Sequence, residues 1–275
     1  IIKDRVIKYF SEKKKCKKLK ERAKKLKFNG PKIIKSPENF LVYQYIQGKH
    51  LTEVNEKLFL NFLENLRRKF WIKKKINKKN FKTQCKKFYK DKTYDRVSIA
   101  MKQNPIIDKI EIINGKKIPS IYKILPKVNW EALSNGIPVN FHGDLQPENI
   151  IVTKNNQFKL IDWRTDFSGL KYGDLYYDFS KLNHMLTINT RKVLDGKISV
   201  LYKNNIEVKY SFQTKNKLLK FQKILYQFIT KNNLNIKKVK ILTALIYLNI
   251  SKFYDNPYSE LLFYHGKKQL YQLTL

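Results

Sequence analysis

Cysteine is almost absent: Cys16 and Cys85 are the only two in 275 residues, and neither belongs to a Cys-x-x-Cys or mixed Cys/His spacing. That excludes a disulfide framework and supplies no zinc-site pattern. It fits a chain that works in a reducing cytoplasm. Long apolar runs are lacking as well. The strongest, Ile241 to Ile250, is broken by Thr243 and Asn249 and is about half of the ~20 residues that a membrane span needs. No internal repeat and no low-complexity linker is visible. The start carries no charged-then-apolar signal pattern, and because it opens on Ile1 without an initiator Met, further residues are expected to precede it.

Arginine and acidic residues are scarce too. Lys and Arg together number 58, only seven of them Arg, against 22 Asp and Glu, for a formal charge of +36. Such a charge ordinarily points to nucleic acid or an anionic surface. Here the lysines run from Lys3 to Lys268 beside abundant Asn, Ile, Tyr and Phe. Nucleic-acid readers concentrate their charge and favour Arg for bidentate contacts. The pattern is a composition bias of the whole chain, and nucleic acid is not expected as its main partner. With 42% hydrophobic residues, the chain has material for one large domain or two lobes.

Local patterns divide it further. Ile1-Ile2, the Lys3-Asp4 turn and Arg5 to Phe10 predict two strands, the second containing Lys8. Ser11 is a candidate N-cap for a very basic helix over residues 12 to 27, whose apolar face is Cys16, Leu19, Ala23 and Leu26, stopped by Asn29-Gly30-Pro31. Strands are expected at Lys32 to Ile34 and Phe40 to Ile46, a break at Gln47-Gly48, and helix near Thr52 to Phe70. A Lys-rich helical stretch then runs to about Val128, with a hairpin at Asn114-Gly115. Val139 to Phe141 predicts a strand entering a loop, and Ile150 to Thr153 and Phe158 to Ile161 a hairpin across Lys154 to Gln157. After Tyr177 the pattern is helical, apart from an irregular or strand-like stretch around Val193 to Tyr210; Asn216 to Thr230 and Val239 to Phe253 have the apolar spacing of core helices.

The chemistry concentrates in the loop and hairpin. Moving a γ-phosphoryl group needs a residue that orients the acceptor hydroxyl, ligands for Mg²⁺ against the phosphate oxygens, and a cation for the α/β-phosphates. Asp144 can accept a hydrogen bond from the hydroxyl. Asn149 and Asp162 offer hard oxygen ligands. Five residues separate Asp144 from Asn149, and the hairpin folds Asp162 back beside Asn149.

This ordered set, His142-Gly143-Asp144, Asn149, Ile161-Asp162, then Gly173-Asp174 and Tyr177-Asp178, resembles the catalytic segment of the aminoglycoside phosphotransferase and choline kinase family. The resemblance implies an α+β, two-lobed protein-kinase-like fold. Residues 1–46 would be a partial β-containing small lobe and 47–275 a larger, mainly helical lobe with the catalytic hairpin at 139–163. It also implies ATP and Mg²⁺ as cofactors, Asp144 as catalytic residue, and Asn149 and Asp162 as metal ligands. Lys8 would pair with the nucleotide phosphates, and Tyr43, Gln44, Tyr45 and Ile46 would form the hinge that reads adenine through its backbone. Glu21 and Glu12 are the candidate acidic partners of Lys8. Spacing and the pattern Glu21…Leu26…Phe28 favour Glu21, whereas Glu12 lies on the apolar face only four residues from Lys8.

The chain departs from the family where no glycine-rich loop stands before Lys8. Gly143 replaces the Arg of protein kinases, Asp174 follows Asp162 closely, and there is no Ala-Pro-Glu, which argues against protein substrates. Asp162-Trp-Arg164, Lys181 to His184 and Tyr89 to Arg96 resemble the branch found with bacterial capsule and surface-polysaccharide genes. The expected enzyme phosphorylates a hydroxyl of a sugar, sugar derivative or amino alcohol. A strongly basic protein is a poor place to concentrate a polycation, so a neutral or anionic acceptor is expected, with Arg164 and His184 as candidate contacts. The rival expectation is a non-catalytic nucleotide- or polyanion-binding module that kept the fold.

Overall fold

The computed structural model describes residues 4–26, 29–189 and 198–275. In chain order, β1 (Arg5–Tyr9), α1 (Lys13–Leu26), β2 (Ile33–Ile34), β3 (Phe40–Gln44), β4 (Lys49–His50) and α2 (Glu56–Lys69) come first. Next are α3 (Lys78–Lys86), α4 (Lys92–Gln103), β5 (Ile112–Ile113), β6 (Lys116–Lys117), α5 (Ile121–Ile124) and α6 (Trp130–Leu133). Then follow β7 (Pro138–Val139), β8 (Ile150–Val152), β9 (Phe158–Leu160), β10 (Gly173–Asp174) and α7 (Leu175–Thr187). The chain closes with β11 (Ile198–Tyr202), β12 (Glu207–Phe212), α8 (Asn216–Lys231), α9 (Ile236–Ser251) and α10 (Tyr258–Thr274). This is an α+β fold, sheet-containing towards its N-terminus and helical towards its C-terminus.

Two compact units form. The first joins Ile1–Asn77 to Ile137–Leu182. Its antiparallel sheet has the order β1-β3-β2, with Lys8 opposite Leu41 and Val6 opposite Tyr43. The sheet is supported by α1, which is nearly all lysine on one side and buries Cys16, Leu19, Arg22, Ala23 and Leu26 on the other. Burying an apolar stripe is what holds so charged a helix in place. A second sheet, β4-β8-β9, carries the expected hairpin, and β7 pairs with β10. Helix α2 begins at Glu56 because the Asn55 side chain accepts a hydrogen bond from Leu58 N–H at 2.9 Å, an N-cap that overrides the expected start near Thr52. The predicted strand from Phe40 to Ile46 ends at Gln44.

The second unit joins Lys78–Gly136 to Asn183–Leu275. Its sheet has the order β11-β12-β5-β6, and the Asn114-Gly115 turn has positive φ at both residues, 50° and 74°, as a tight hairpin requires. The Asn114 side chain bonds Tyr210 N–H at 2.8 Å, which ties the turn to β12. Helices α9 and α10 supply the core; α10 lies beyond the stretches whose spacing marked helices in the sequence. Its Lys267 is fully buried, 2.7 Å from an oxygen of Asp108 and 3.0 Å from the Ile110 carbonyl. The strand-like stretch from Val193 falls partly outside the described residues and otherwise forms β11 and β12. No helix among the described residues is long and apolar enough to cross a membrane.

Candidate active site

The motif loop leaves β7 and is shaped by one buried carboxylate. Asp178, on α7, accepts hydrogen bonds from the backbone N–H groups of His142 and Gly143, both at 2.8 Å, and from the Trp71 indole at 3.0 Å. Burial pushes its carboxyl up to about 6, against the lowering effect of those donors and of Arg22. Gly143 has φ +83°, and a Cβ there would stand 2.6 Å from both Arg164 Cβ and the Phe141 ring. Only glycine meets both conditions without strain. His142 accepts from Asp144 N–H through Nδ1 at 3.2 Å and donates from Nε2 to the Ile161 carbonyl at 2.8 Å, and its burial lowers the imidazole to about 4. It is a neutral strut between loop and hairpin.

Three polar groups hold Asp144. Lys181 Nζ lies 2.7 Å from Oδ1 and Gln146 Nε2 lies 3.0 Å from the same oxygen, while Asn149 Nδ2 donates to the Asp144 carbonyl at 2.9 Å and only distantly, at 3.4 Å, to Oδ2. Burial alone would raise this carboxyl; the charge and hydrogen bond of Lys181, with Gln146 and His142, overcome it and hold the group at about 2. Oδ1 is thus engaged twice and Oδ2 is nearly unengaged.

Hairpin register brings the two expected metal ligands together. Ile150 pairs with Leu160, and Ile161 N–H donates to the Asn149 carbonyl at 2.9 Å, so Asn149 stands opposite the residue before Asp162. Asp162 has φ +58°, a left-handed conformation that non-glycine residues seldom adopt and that recurs at functional sites. Its carboxylate meets the Lys8 ammonium, so it faces a cation in this structure. The Asn149 amide nitrogen is committed to Asp144, which leaves the amide oxygen as its donor atom. Among the described residues no group of three or more His, Cys, Asp or Glu side chains could hold a metal. Two hard oxygen donors that need phosphate oxygens to complete the shell suit Mg²⁺.

Lys8 pairs with Asp162, not with Glu21 or Glu12. Glu21 is exposed because the buried face of α1 runs through Cys16, Leu19 and Arg22, and a residue two positions from Leu19 points away from it. Facing Lys8 instead are Lys15 and Leu19, which with Phe10, Leu41, Tyr43 and the segment Asp162 to Thr165 line a cavity of about 430 Å³. Burial, with the Asp162 charge, raises the Tyr43 phenol above its ordinary range. In the expected hinge, Gln44 N–H donates to the Lys32 carbonyl at 3.1 Å and Tyr45 N–H to the Asp4 carbonyl at 2.8 Å. Among the described residues Ile46 N–H makes no such bond outside helices and strands. Arg164 lines the cavity beside Lys8. His184 belongs to the second unit, where it is buried with its ring against Tyr247, whose hydroxyl bonds its carbonyl at 2.7 Å.

Two residues with no assigned role in the sequence organise this site. Arg22 is 3% exposed and donates to the carbonyls of Phe141, Arg164 (3.3 Å) and Lys171 (2.8 Å), with its guanidinium 4.5 Å from the Phe141 ring. Burial lowers it to about 10, partly offset by Asp178 and Asp166, so it stays charged at neutral pH. Lys181 is the other; its signal was its place three residues after Asp178, on the same face of one helix.

No protein-family model matches this sequence, and no curated protein matches it. Solved structures do. An ethanolamine kinase of Plasmodium vivax aligns at 15% identity over 98% of this chain and 76% of that one, with a TM-score of 0.51. APH(2'')-IIa, in its complex with gentamicin, aligns at 16% identity over 98% and 85%, with a TM-score of 0.52. At such identities the likeness is one of fold, and it agrees with the protein-kinase-like architecture of the aminoglycoside phosphotransferase and choline kinase group that the motif implied.

Proposed function

We propose, on the premise that this chain shares its fold with an ethanolamine kinase and an aminoglycoside phosphotransferase, that it transfers the γ-phosphoryl group of ATP to a hydroxyl of a small molecule. One observation carries the reading: a carboxylate with one oxygen left open, Asp144 Oδ2, stands on a loop joined through hairpin register to the paired oxygen donors Asn149 and Asp162. Pure nucleotide binding does not require all three. Asp144 orients the acceptor hydroxyl and takes its proton. Asn149 and Asp162 would hold Mg²⁺, which when bound neutralises charge on the phosphate oxygens. Lys8 steadies the nucleotide phosphates, and Ile46 N–H, without a backbone partner among the described residues, is the hinge donor for adenine.

The acceptor is a neutral or anionic compound such as a sugar, a sugar phosphate or another sugar derivative, with an amino alcohol as a further class. Lys8, Lys15 and Arg164 around the cavity disfavour a polycation. The resemblance of Asp162 to Arg164 and Lys181 to His184 to the surface-polysaccharide branch points the same way. The scarcity of cysteine supports a reducing cytoplasm as the location of the reaction.

Thermal unfolding with and without Mg-ATP is the first test, since a ligand at 100 times its Kd adds about 2.7 kcal/mol to the state that binds it. An ADP-release screen across sugars, sugar phosphates, amino alcohols and aminoglycosides then identifies the acceptor. Asp144→Asn should lower turnover by about 10²- to 10⁴-fold while preserving the Mg-ATP shift. No shift at any nucleotide concentration would sink the reading, and a shift without turnover would favour a nucleotide-binding module.

A further inference from the structure

The Asp144 carboxylate is gripped from one side. Lys181 and Gln146 both bind Oδ1, at 2.7 and 3.0 Å, and nothing approaches Oδ2 more closely than the 3.4 Å contact from Asn149 among the hydrogen bonds of the described residues. A carboxylate on a loop otherwise turns freely about its terminal bond, which is a broad, roughly two-fold torsion. Pinning one oxygen removes that freedom and fixes where the other points.

We propose that Lys181 is a positioning residue for phosphoryl transfer: together with Gln146 it clamps Oδ1 of Asp144 and so presents Oδ2 to the acceptor hydroxyl. This rests on the kinase reading above. Three observations support it beyond the distance itself. The Lys181 side chain is only 7% exposed, in a chain whose lysines otherwise lie largely at the surface; a buried ammonium persists only where it is paired. Lys181 lies one helical turn after Asp178, so α7 holds the loop backbone with one residue and the loop's reactive side chain with the next on that face. Gln146, two residues after Asp144, donates to the same oxygen that Lys181 holds, so the two donors converge on Oδ1.

The transfer is a single displacement. The hydroxyl oxygen forms a bond to the γ-phosphorus, its proton passes to Asp144 Oδ2, and the bond from that phosphorus to the bridging oxygen breaks, its electron pair leaving with ADP. Lys181 acts by holding Oδ1.

The test compares Lys181→Met and Lys181→Arg in the full chain, reading kcat and KM from ADP release and nucleotide binding from the Mg-ATP thermal shift. A misplaced reacting group costs about 10²-fold, so the Met variant should lose roughly that factor in kcat with KM for ATP within about twofold and the thermal shift intact. Arg, which can still clamp Oδ1, should recover most of the loss. In the Asp144→Asn background, Lys181→Met should cost little more, since the two act as a unit. The proposal is overturned if the Met variant keeps kcat within about threefold of wild type, or if Met and Arg variants lose activity equally and in step with melting temperature. Absence of ADP release by the wild type with every acceptor overturns the kinase reading, and this proposal with it; wild-type turnover with an indifferent Lys181→Met overturns the proposal alone.

Discussion

Replacing Arg22 by Met removes three hydrogen bonds and a ring contact while keeping most of the side-chain volume. The Phe141 carbonyl it serves is buried, and the carbonyls of Arg164 and Lys171 are partly so. A buried acceptor left without a donor costs about 1–3 kcal/mol, and each of the other two bonds, whose partly buried carbonyls water can reach in the variant, about 1 kcal/mol. The lost contact with the Phe141 ring adds about 0.5–1 kcal/mol. Such figures already contain the cost of burying the donor, so Arg22→Met should destabilise the first unit by roughly 4 kcal/mol. Arg22→Lys keeps the charge but has one nitrogen for three divergent carbonyls, and should remain about 2 kcal/mol or more below wild type. Urea unfolding followed by tryptophan fluorescence in a Trp130→Phe background reports on this unit, because Trp130 lies in the second unit whereas Trp71 and Trp163 lie in the first and Trp163 bonds the Leu19 carbonyl on the same helix. At urea m-values of about 1–3 kcal/mol/M the loss moves the midpoint by about 1.3–4 M. An Arg22→Met midpoint corresponding to less than about 1 kcal/mol would refute the claim that this side chain ties α1 to the motif loop.

Lys267→Met should cost about 3–5 kcal/mol by leaving Asp108 charged and buried, whereas Lys267→Met with Asp108→Leu should recover much of the loss; denaturant midpoints of the two variants decide it. Acid should weaken the second unit through His265, which is buried among Tyr210, Phe212 and Tyr247 and held at about 3 by burial and then by Lys268. The unfolded chain takes up this proton below about 6.5 and the folded chain does not, so stability should fall as pH drops from about 6.5 towards 3, by at most about 1.4 kcal/mol per unit. Melting temperatures across that range should decline less steeply in His265→Asn, and parallel slopes would contradict the assignment.

The hairpin from Ile150 to Leu160, the turn at Asn114-Gly115 and the apolar face of α1 were legible because each depends on local periodicity or on a backbone conformation that few residues accept. The juxtaposition of Asn149 and Asp162 followed from the same hairpin. Glu21, favoured by spacing as the partner of Lys8, does not meet it in this structure, for a matching reason. Spacing from a strand says how far along a helix a residue lies, but the face it occupies is set by what the helix buries, and here Glu21 lies off that face. Arg22 was illegible as a functional group, since a cation in a chain with 58 of them carries no local mark of being buried, and the only signal for Lys181 was its place one turn after Asp178. Helix α10 escaped notice because it is buried along much of its length, including His265, Gly266 and Lys267, and so lacks the two-sided contrast that marks a surface helix.

The first unit is assembled from two separated stretches of chain, and this imposes a waiting time on its synthesis. Arg22 and its Phe141 carbonyl lie 119 residues apart. At ordinary elongation rates the ribosome needs about 6–24 s to make that interval. Until Phe141 emerges, α1 exists with a charged guanidinium and a stripe of Cys16, Leu19, Ala23 and Leu26 that has lost part of its eventual cover. A stop before Phe141 leaves the basic helix without its anchor, and any stop before α7 leaves the motif loop without Asp178.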